Sequence, residues 1–105
     1  MKYIYEVEYD IKNGDVFNTW YETASDAERG ANNLIDRLTK SEKKRARVIL
    51  YGYKVDVPEN YNYTTAEKFA YDLFDGNITI PQYDFDACQF TDIIKEEEVF
   101  SGWND

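Results

Sequence analysis

The side chains best able to do chemistry in this chain are carboxylates, and in two places their spacing is regular. Glu6, Glu8 and Asp10 recur at every second position, which on a β-strand puts them on one face, about 6.6–6.8 Å apart. Asp84 and Asp86 repeat the same spacing. Rows of carboxylates can bind Mg²⁺ or Ca²⁺, or they can meet a basic protein surface. The other chemistry-bearing residues decide between these two roles.

The remaining residue types do not indicate catalysis. The chain has no His, and its single Cys, Cys88, lacks a basic neighbour that would activate the thiolate. One Cys without His cannot form a zinc site, and no Gly-rich phosphate loop occurs. Asp92 and Glu96 are four residues apart and could join Asp84 and Asp86 in the metal site of a hydrolase. The spacing of these acids fits no EF-hand loop. We therefore expect no enzymatic activity, metal or cofactor, and a buried structural role for Cys88.

Charge is distributed unevenly along the chain. Residues 1–54 carry nine acidic and ten basic side chains, whereas residues 55–105 carry twelve acidic and two basic ones. The halves therefore contribute +1 and −10 to the net charge of −9. A half-chain this acidic repels nucleic acids and membrane surfaces and attracts basic protein surfaces. We expect the acids of the second half to gather into one field that binds a basic protein, without direct binding to nucleic acid or membrane.

A basic connector gives the opposing signal. Seven basic side chains occur within eighteen residues against one acidic side chain, Glu42; they are Arg37, Lys40, Lys43, Lys44, Arg45, Arg47 and Lys54. Such a cluster could bind phosphates, or it could pair with an acidic patch on a second copy of the chain. The preferred interpretation is a solvated helix exit, where cations are favoured near the helix C-terminus.

The composition is typical of one folded domain. A chain of 105 residues with 43% hydrophobic and 17% aromatic residues can bury a single core, so we expect one domain over residues 1–105. A lone Cys cannot form an intramolecular disulfide. The N-terminal residues resemble no signal peptide, and no apolar run reaches the length of a membrane span. A cytoplasmic location is the resulting expectation.

The first half of the chain predicts a β-hairpin followed by a helix. Alternating residues over Tyr3–Ile11, an Asn-Gly pair and a second strand over Val16–Tyr21 are typical of a hairpin. Ser25 and Glu28 then form a capping-box pattern ahead of apolar residues at helical spacing. This pattern predicts a helix over residues 26–39.

The middle of the chain predicts a central strand and a second helix. The nearly continuous apolar run over Arg47–Val57 indicates a strand with both faces covered. Thr64 begins a second capping-box pattern, and Gly76 lies where a left-handed helix terminator is expected. These signals predict a helix over residues 65–75.

The last third of the chain is irregular. Ile78–Ile80 predicts a short strand, and Thr91 could cap a short helix over residues 92–98. The predicted fold class is α+β, in the order β-β-α-β-α followed by an acidic C-terminal segment. Its small antiparallel sheet, made of the N-terminal hairpin and the central strand, is expected to pack on two helices.

Aromatic residues interleave with the acids, as at interfaces where rings anchor and charge steers. Trp103 is the best candidate for an exposed anchor, and Trp20 on the hairpin is the second. The residues expected to bind the partner are the acids in rows or clusters together with the first of these tryptophans. They are Glu6, Glu8, Asp10, Asp84, Asp86, Asp92, Glu96, Glu97, Glu98 and Trp103.

In size, acidity, aromatic content and lack of catalytic residues, and in the acidic stretch from Asp84 to Asp105, the chain resembles the small anti-defence proteins of phages and plasmids. These anti-CRISPR and antirestriction inhibitors share no diagnostic motif, so no residue role is carried over. The resemblance implies an inhibitor that occupies the basic nucleic-acid groove of a host enzyme. One acidic strand has about half the axial charge density of one nucleic-acid strand, so mimicry of a duplex needs further rows. A structural or regulatory interaction module, including a homo-oligomer built through the hairpin and Trp20, is the alternative.

Overall fold

The computed structural model describes residues 1–103, which form a four-stranded antiparallel sheet with a helix packed on each face. The strands of this sheet are β1 (Lys2–Ile11), β2 (Val16–Tyr21), β3 (Ala46–Val55) and β6 (Ile93–Ser101). The helices are α1 (Ala24–Arg37), α2 (Lys40–Lys43) and α3 (Ala66–Phe74). A small second sheet pairs β4 (Tyr83–Asp84) with β5 (Gln89–Phe90). The α+β class is confirmed, with one more strand in the main sheet and one more, single-turn helix than predicted.

The main sheet has the order β2-β1-β3-β6, so the predicted hairpin and central strand are confirmed. β1 pairs with β2 through a tight connection in which the Gly14 N–H donates to the Ile11 carbonyl at 2.9 Å. Asn13, with φ of 57°, supplies the left-handed residue of the turn. β3 lies between β1 and β6, which agrees with its nearly continuous apolar sequence.

α1 begins two residues before its predicted start. Thr23 has extended backbone angles, and its hydroxyl accepts from the Asp26 N–H at 3.1 Å, so Thr23 is the N-cap in place of Ser25. The helix lies close against the sheet at Gly30, where a Cβ atom would collide with the Tyr21 hydroxyl. The absence of a side chain at this position therefore permits the close approach.

The other two helices show one prediction confirmed and one element missed. α3 occupies most of its predicted range, is capped by Thr65 rather than Thr64, and is followed by Gly76 at φ of 76°. Within the basic connector, Thr39 and Glu42 form a reciprocal capping box that stabilises α2. The sequence contains this capping-box pattern, but a helix of one turn is too short for apolar residues to recur at helical spacing. The helix was therefore not predicted.

Two predictions for the last third are wrong. A short helix was predicted over residues 92–98, but residues 93–98 belong to the edge strand β6, and Ile78–Ile80 forms no strand. In β6 the side chains of Lys95 and Glu97 point to the α1 face, while Glu96 and Glu98 point to the other. Pairing with the exposed edge of β3 therefore determined the conformation, and the helical spacing of the carboxylates did not.

Apolar side chains cover the two sheet faces unequally. On one face α1 packs over Val7, Val48 and Leu50. On the other face, α3 and the segment that follows it pack over Ile4, Trp20, Tyr53 and Val55, at one end of the sheet. Trp20 is 7% exposed, so the prediction that it is a surface anchor is wrong. The other end of this second face is the candidate functional site.

Candidate functional site

The uncovered end of the second face carries most of the acidic residues that the sequence places in rows. We call it the open face and define it by three rows of side chains running across β2, β1, β3 and β6. The rows are Val16, Asp10, Arg47 and Ser101; Asn18, Glu8, Ile49 and Glu98; and Trp20, Glu6, Tyr51 and Glu96. The third row lies at the boundary with the covered end, since Trp20 belongs to the core there.

The carboxylates of the open face form two columns, one on β1 and one on β6, with β3 between them. The columns are about 9–10 Å apart because each strand spacing is about 4.7–4.9 Å. Together they contain five carboxylates, and Arg47 is the only cation in the three rows. Strand geometry gives the two columns together about one carboxylate per 3.4 Å, the charge density of one nucleic-acid strand and about half that of a duplex.

Glu6 is the most enclosed of these carboxylates. It is 6% exposed, its Oε1 accepts from the Tyr53 hydroxyl at 2.7 Å, and its Oε2 accepts from the Asn18 amide at 2.5 Å. Burial raises the pKa of Glu6, and the two hydrogen bonds oppose that rise by favouring the ionised form. The residue therefore has a fixed orientation, and little of its side chain is exposed to solvent.

Asp10 is also buried and is paired with Arg47. The guanidinium donates to Asp10 Oδ2 at 3.0 Å, and it stacks on the Trp103 ring with its central carbon 5.1 Å from the ring centre. Asp10 Oδ1 and Arg47 Nε are buried with no hydrogen-bond partner among the described residues. Trp103 is half-buried in this arrangement, so its ring packs against the rim of the open face.

Glu8 lies between the other two acids of β1 and has an unusual pKa. Burial raises its pKa to about 7, with further contributions from a hydrogen bond to Asp10 and from the charges of Asp10 and Glu6; Arg47 opposes them. At neutral pH the Glu8 carboxyl is therefore partly protonated. The open face carries less negative charge than its five carboxylates would give if all were ionised.

A cavity of about 490 Å³ lies at the step between the open face and the covered end. Residues of the sheet line one side of it, and α3 and the β4–β5 hairpin line the other. The lining residues are Glu6, Glu8, Asn18, Trp20, Tyr51, Tyr53, Phe74, Tyr83, Cys88, Gln89, Phe90, Ile93 and Glu96. The cavity therefore combines carboxylates and aromatic rings.

The remaining acids predicted as partner-binding lie elsewhere. Glu97 projects to the α1 face, 3.5 Å from Lys95, which also contacts α1. Asp84 accepts backbone N–H bonds from Asp86 and Ala87 in the β4–β5 hairpin, at 3.0 and 3.2 Å. These acids are separate from the two carboxylate columns.

The candidate metal constellation is not assembled either. The carbonyl of Asp92 accepts from the Lys54 N–H at 3.0 Å, at the start of β6. Within residues 1–103, no group of three Cys, Asp or Glu side chains is arranged to hold a metal ion. Asp105, the last residue of the acidic stretch, lies outside the described residues.

The prediction that Cys88 is buried is wrong. It is exposed in the β4–β5 turn with φ of 54°, where its Sγ donates to the Phe85 carbonyl at 3.4 Å. The sequence favoured a buried structural role because Cys88 has no His partner and no basic neighbour that would activate its thiolate. The two-residue strands around it place the side chain at the surface.

The charge skew between the halves of the sequence also maps differently from the prediction. The open face combines Glu6, Glu8 and Asp10 from the first half with Glu96 and Glu98 from the second. Sequence reasoning missed the contribution of the residues that hold these acids, which are Asn18, Arg47 and Tyr53. Only the strand register brings them together, and no local pattern signals it.

Comparison with known proteins gives no match, whether with protein-family models, with curated protein sequences or with solved structures. Among the described residues, no helix has both the length and the apolar character needed to cross a membrane.

Proposed function

We propose that this chain is a non-enzymatic binding protein that docks its open face on the basic surface of a nucleic-acid-binding protein and thereby inhibits it. The observation that carries the proposal is the pair of carboxylate columns with Arg47 as the single cation between them. Such a surface steers association with a positively charged partner and disfavours nucleic acid. The inhibition is of the kind implied by the resemblance to anti-CRISPR and antirestriction proteins.

The charge density of the open face favours one kind of basic partner. Two carboxylate columns together approach the charge spacing of one nucleic-acid strand, and Arg47 and the partial protonation of Glu8 lower it further. A groove that binds a single strand therefore suits this surface better than one that requires a full duplex. The nucleic acid that the open face would mimic is therefore a single strand.

Charge reversal on β6 offers an internal control for the test. E96K and E98K change the open face, whereas E97K makes the same charge change one residue away on the opposite face. Each wild-type or variant protein would be immobilised and exposed to a bacterial lysate and to purified basic single-strand-binding proteins, at about 50 and 500 mM salt. The captured proteins would be identified by mass spectrometry and competed with single-stranded DNA.

The expected result is capture of a basic nucleic-acid-binding protein that high salt and single-stranded DNA both displace. E96K and E98K should each weaken binding about tenfold or more, and E97K should leave it within about twofold, because only the first two alter the docking charges. Binding that is unchanged between the two salt concentrations would contradict the mechanism. Equal losses in all three variants would place the interface elsewhere.

One observation favours a second candidate, a self-associating interaction module. β2 is the other edge of the sheet, and its apolar residues Val16 and Phe17 are 56% and 51% exposed. Pairing of two β2 edges would cover these side chains and complete the unpaired backbone groups. Light scattering over a concentration series tests it: a mass that doubles supports the module, and a mass of one chain throughout rejects it.

A further inference from the structure

The cavity beside the open face has walls of two chemical kinds. Glu6, Glu8 and Glu96 provide carboxylates on the sheet side. Six aromatic residues also line the cavity: Trp20, Tyr51, Tyr53, Phe74, Tyr83 and Phe90. Neither Lys nor Arg is among the residues that line it, so no basic side chain of the lining balances these carboxylates. A cation with a flat, weakly hydrated surface fits both kinds of wall.

We propose that this cavity receives the guanidinium group of an arginine side chain from the basic partner, an inference that rests on the function proposed above and names its anchor. Guanidinium is planar, so it can stack on aromatic rings while donating to carboxylates. It is also less strongly hydrated than the ammonium group of lysine and loses less on leaving water. An arginine in the cavity would form the buried centre of an interface whose acidic rim steers approach.

The walls of the cavity are already held in place. Tyr53 and Asn18 fix the Glu6 carboxylate through hydrogen bonds of 2.7 and 2.5 Å, which leaves further lone pairs of its oxygens for another donor. The Phe90 ring packs on Tyr53 and Trp20 with centre distances of 4.5 and 5.6 Å. A preformed cavity of about 490 Å³ lies within the usual range for ligand sites and needs little ordering on binding.

The carboxyl of Glu8 should respond to a cation bound in the cavity. Burial and neighbouring acids raise the pKa of Glu8 to about 7. The titratable and charged groups that face it from the surrounding elements are Glu6, Asp10, Arg47, Tyr51, Tyr53, Tyr83, Cys88, Glu96 and Glu98. A guanidinium in the cavity would favour the ionised form of Glu8, so its binding would release a proton and would strengthen as the pH rises from 6 to 8.

Three small probes test the cavity without any partner. N-acetyl-arginine amide carries the guanidinium, N-acetyl-citrulline amide replaces it with an uncharged group of nearly the same shape, and N-acetyl-lysine amide carries an ammonium. Each would be titrated into the ¹⁵N-labelled protein while the Trp20 indole N–H and the Asn18 side-chain amide are followed by NMR. Both residues line the cavity.

The arginine probe should shift these two signals to saturation, and the citrulline probe should not. Binding should be about three- to tenfold tighter at pH 8 than at pH 6, since the Glu8 carboxyl, with its pKa raised to about 7, is mostly protonated at the lower pH and mostly ionised at the higher one. E96Q should weaken it about fivefold by removing a carboxylate from the lining, and E97Q on the opposite face should leave it unchanged. Both changes are at exposed positions of β6, and a dispersed spectrum would verify folding.

Equal shifts with the citrulline probe, or shifts that avoid the cavity signals, would overturn the assignment. Equal affinity for the lysine probe would also reject guanidinium selectivity. These outcomes are independent of the lysate experiment. A partner that is captured through Glu96 and Glu98 while the arginine probe leaves the cavity unaffected would preserve the proposed docking and reject only the anchor.

Discussion

Replacing Glu8 with Gln should stabilise the protein at pH 8 and have little effect at pH 4.5. The pKa of Glu8 is raised from an ordinary 4.5 to about 7. The folded protein therefore holds a proton that the unfolded chain has released, so this carboxyl lowers stability as the pH rises from about 4.5 to 7, and the loss persists above pH 7. The E8Q amide stays uncharged at all these pH values, and its N–H can replace the hydrogen bond that the protonated Glu8 carboxyl gives to Asp10.

The magnitude follows from the size of the pKa change. At about 1.4 kcal/mol per unit, the rise to about 7 corresponds to an upper limit of about 3.4 kcal/mol at pH 8. Glu8 lies at a half-open surface, where solvent screening reduces such energies, so we expect E8Q to gain about 1–2 kcal/mol. At pH 4.5, where wild-type Glu8 is protonated in the folded state, the difference should be less than about 0.5 kcal/mol.

Urea unfolding followed by tryptophan fluorescence at both pH values measures this difference. E98Q is the matched control, because Glu98 lies in the same row of the open face but is exposed at the sheet edge. Its effect on the free energy of unfolding should be within about 0.5 kcal/mol at either pH. An E8Q gain of equal size at both pH values, or a loss at pH 8, would refute the reasoning.

Three further predictions each concern a single residue. Y53F removes the 2.7 Å hydrogen bond to the buried Glu6 and should lower the free energy of unfolding at pH 7 by about 1.5–3 kcal/mol in urea titrations; no loss would contradict its role. G30A should cost about 1–3 kcal/mol in the same assay, because its Cβ would collide with Tyr21, whereas helix propensity alone predicts a gain of about 1 kcal/mol. Native protein should react with one equivalent of Ellman's reagent at the exposed Cys88, and a thiol that reacts only in urea would contradict this placement.

The sequence predicts best where local signals and tertiary packing agree. The alternation over β1, the Asn-Gly turn and the helical periods each specify a segment by its own residues, and these elements formed where predicted to within a few residues. β6 shows the limit of such signals. Its row of glutamates suits a helix or a strand equally well, and the available edge of β3 decided between them.

In the candidate site, too, the sequence predicts what depends on neighbouring residues and not what depends on residues far along the chain. The period of two put Glu6, Glu8 and Asp10 on one strand face, and the structure has them there. Their burial depends on Tyr53, 47 residues away from Glu6, and on Arg47, 37 residues away from Asp10. A single sequence contains no signal for these pairings, so the perturbed pKa values of Glu6 and Glu8 could not be predicted from it.

The three consecutive glutamates of β6 have a consequence for how this protein can change. A free sheet edge is a template for adding strands from other molecules, and charged side chains along it discourage such polymerisation. Substituting these residues with Thr or Val would leave a neutral, β-prone rim and promote insoluble assemblies. Lysine at the same positions would keep the edge charged. Selection for solubility alone would therefore tolerate a change from negative to positive charge on this edge more readily than a loss of charge.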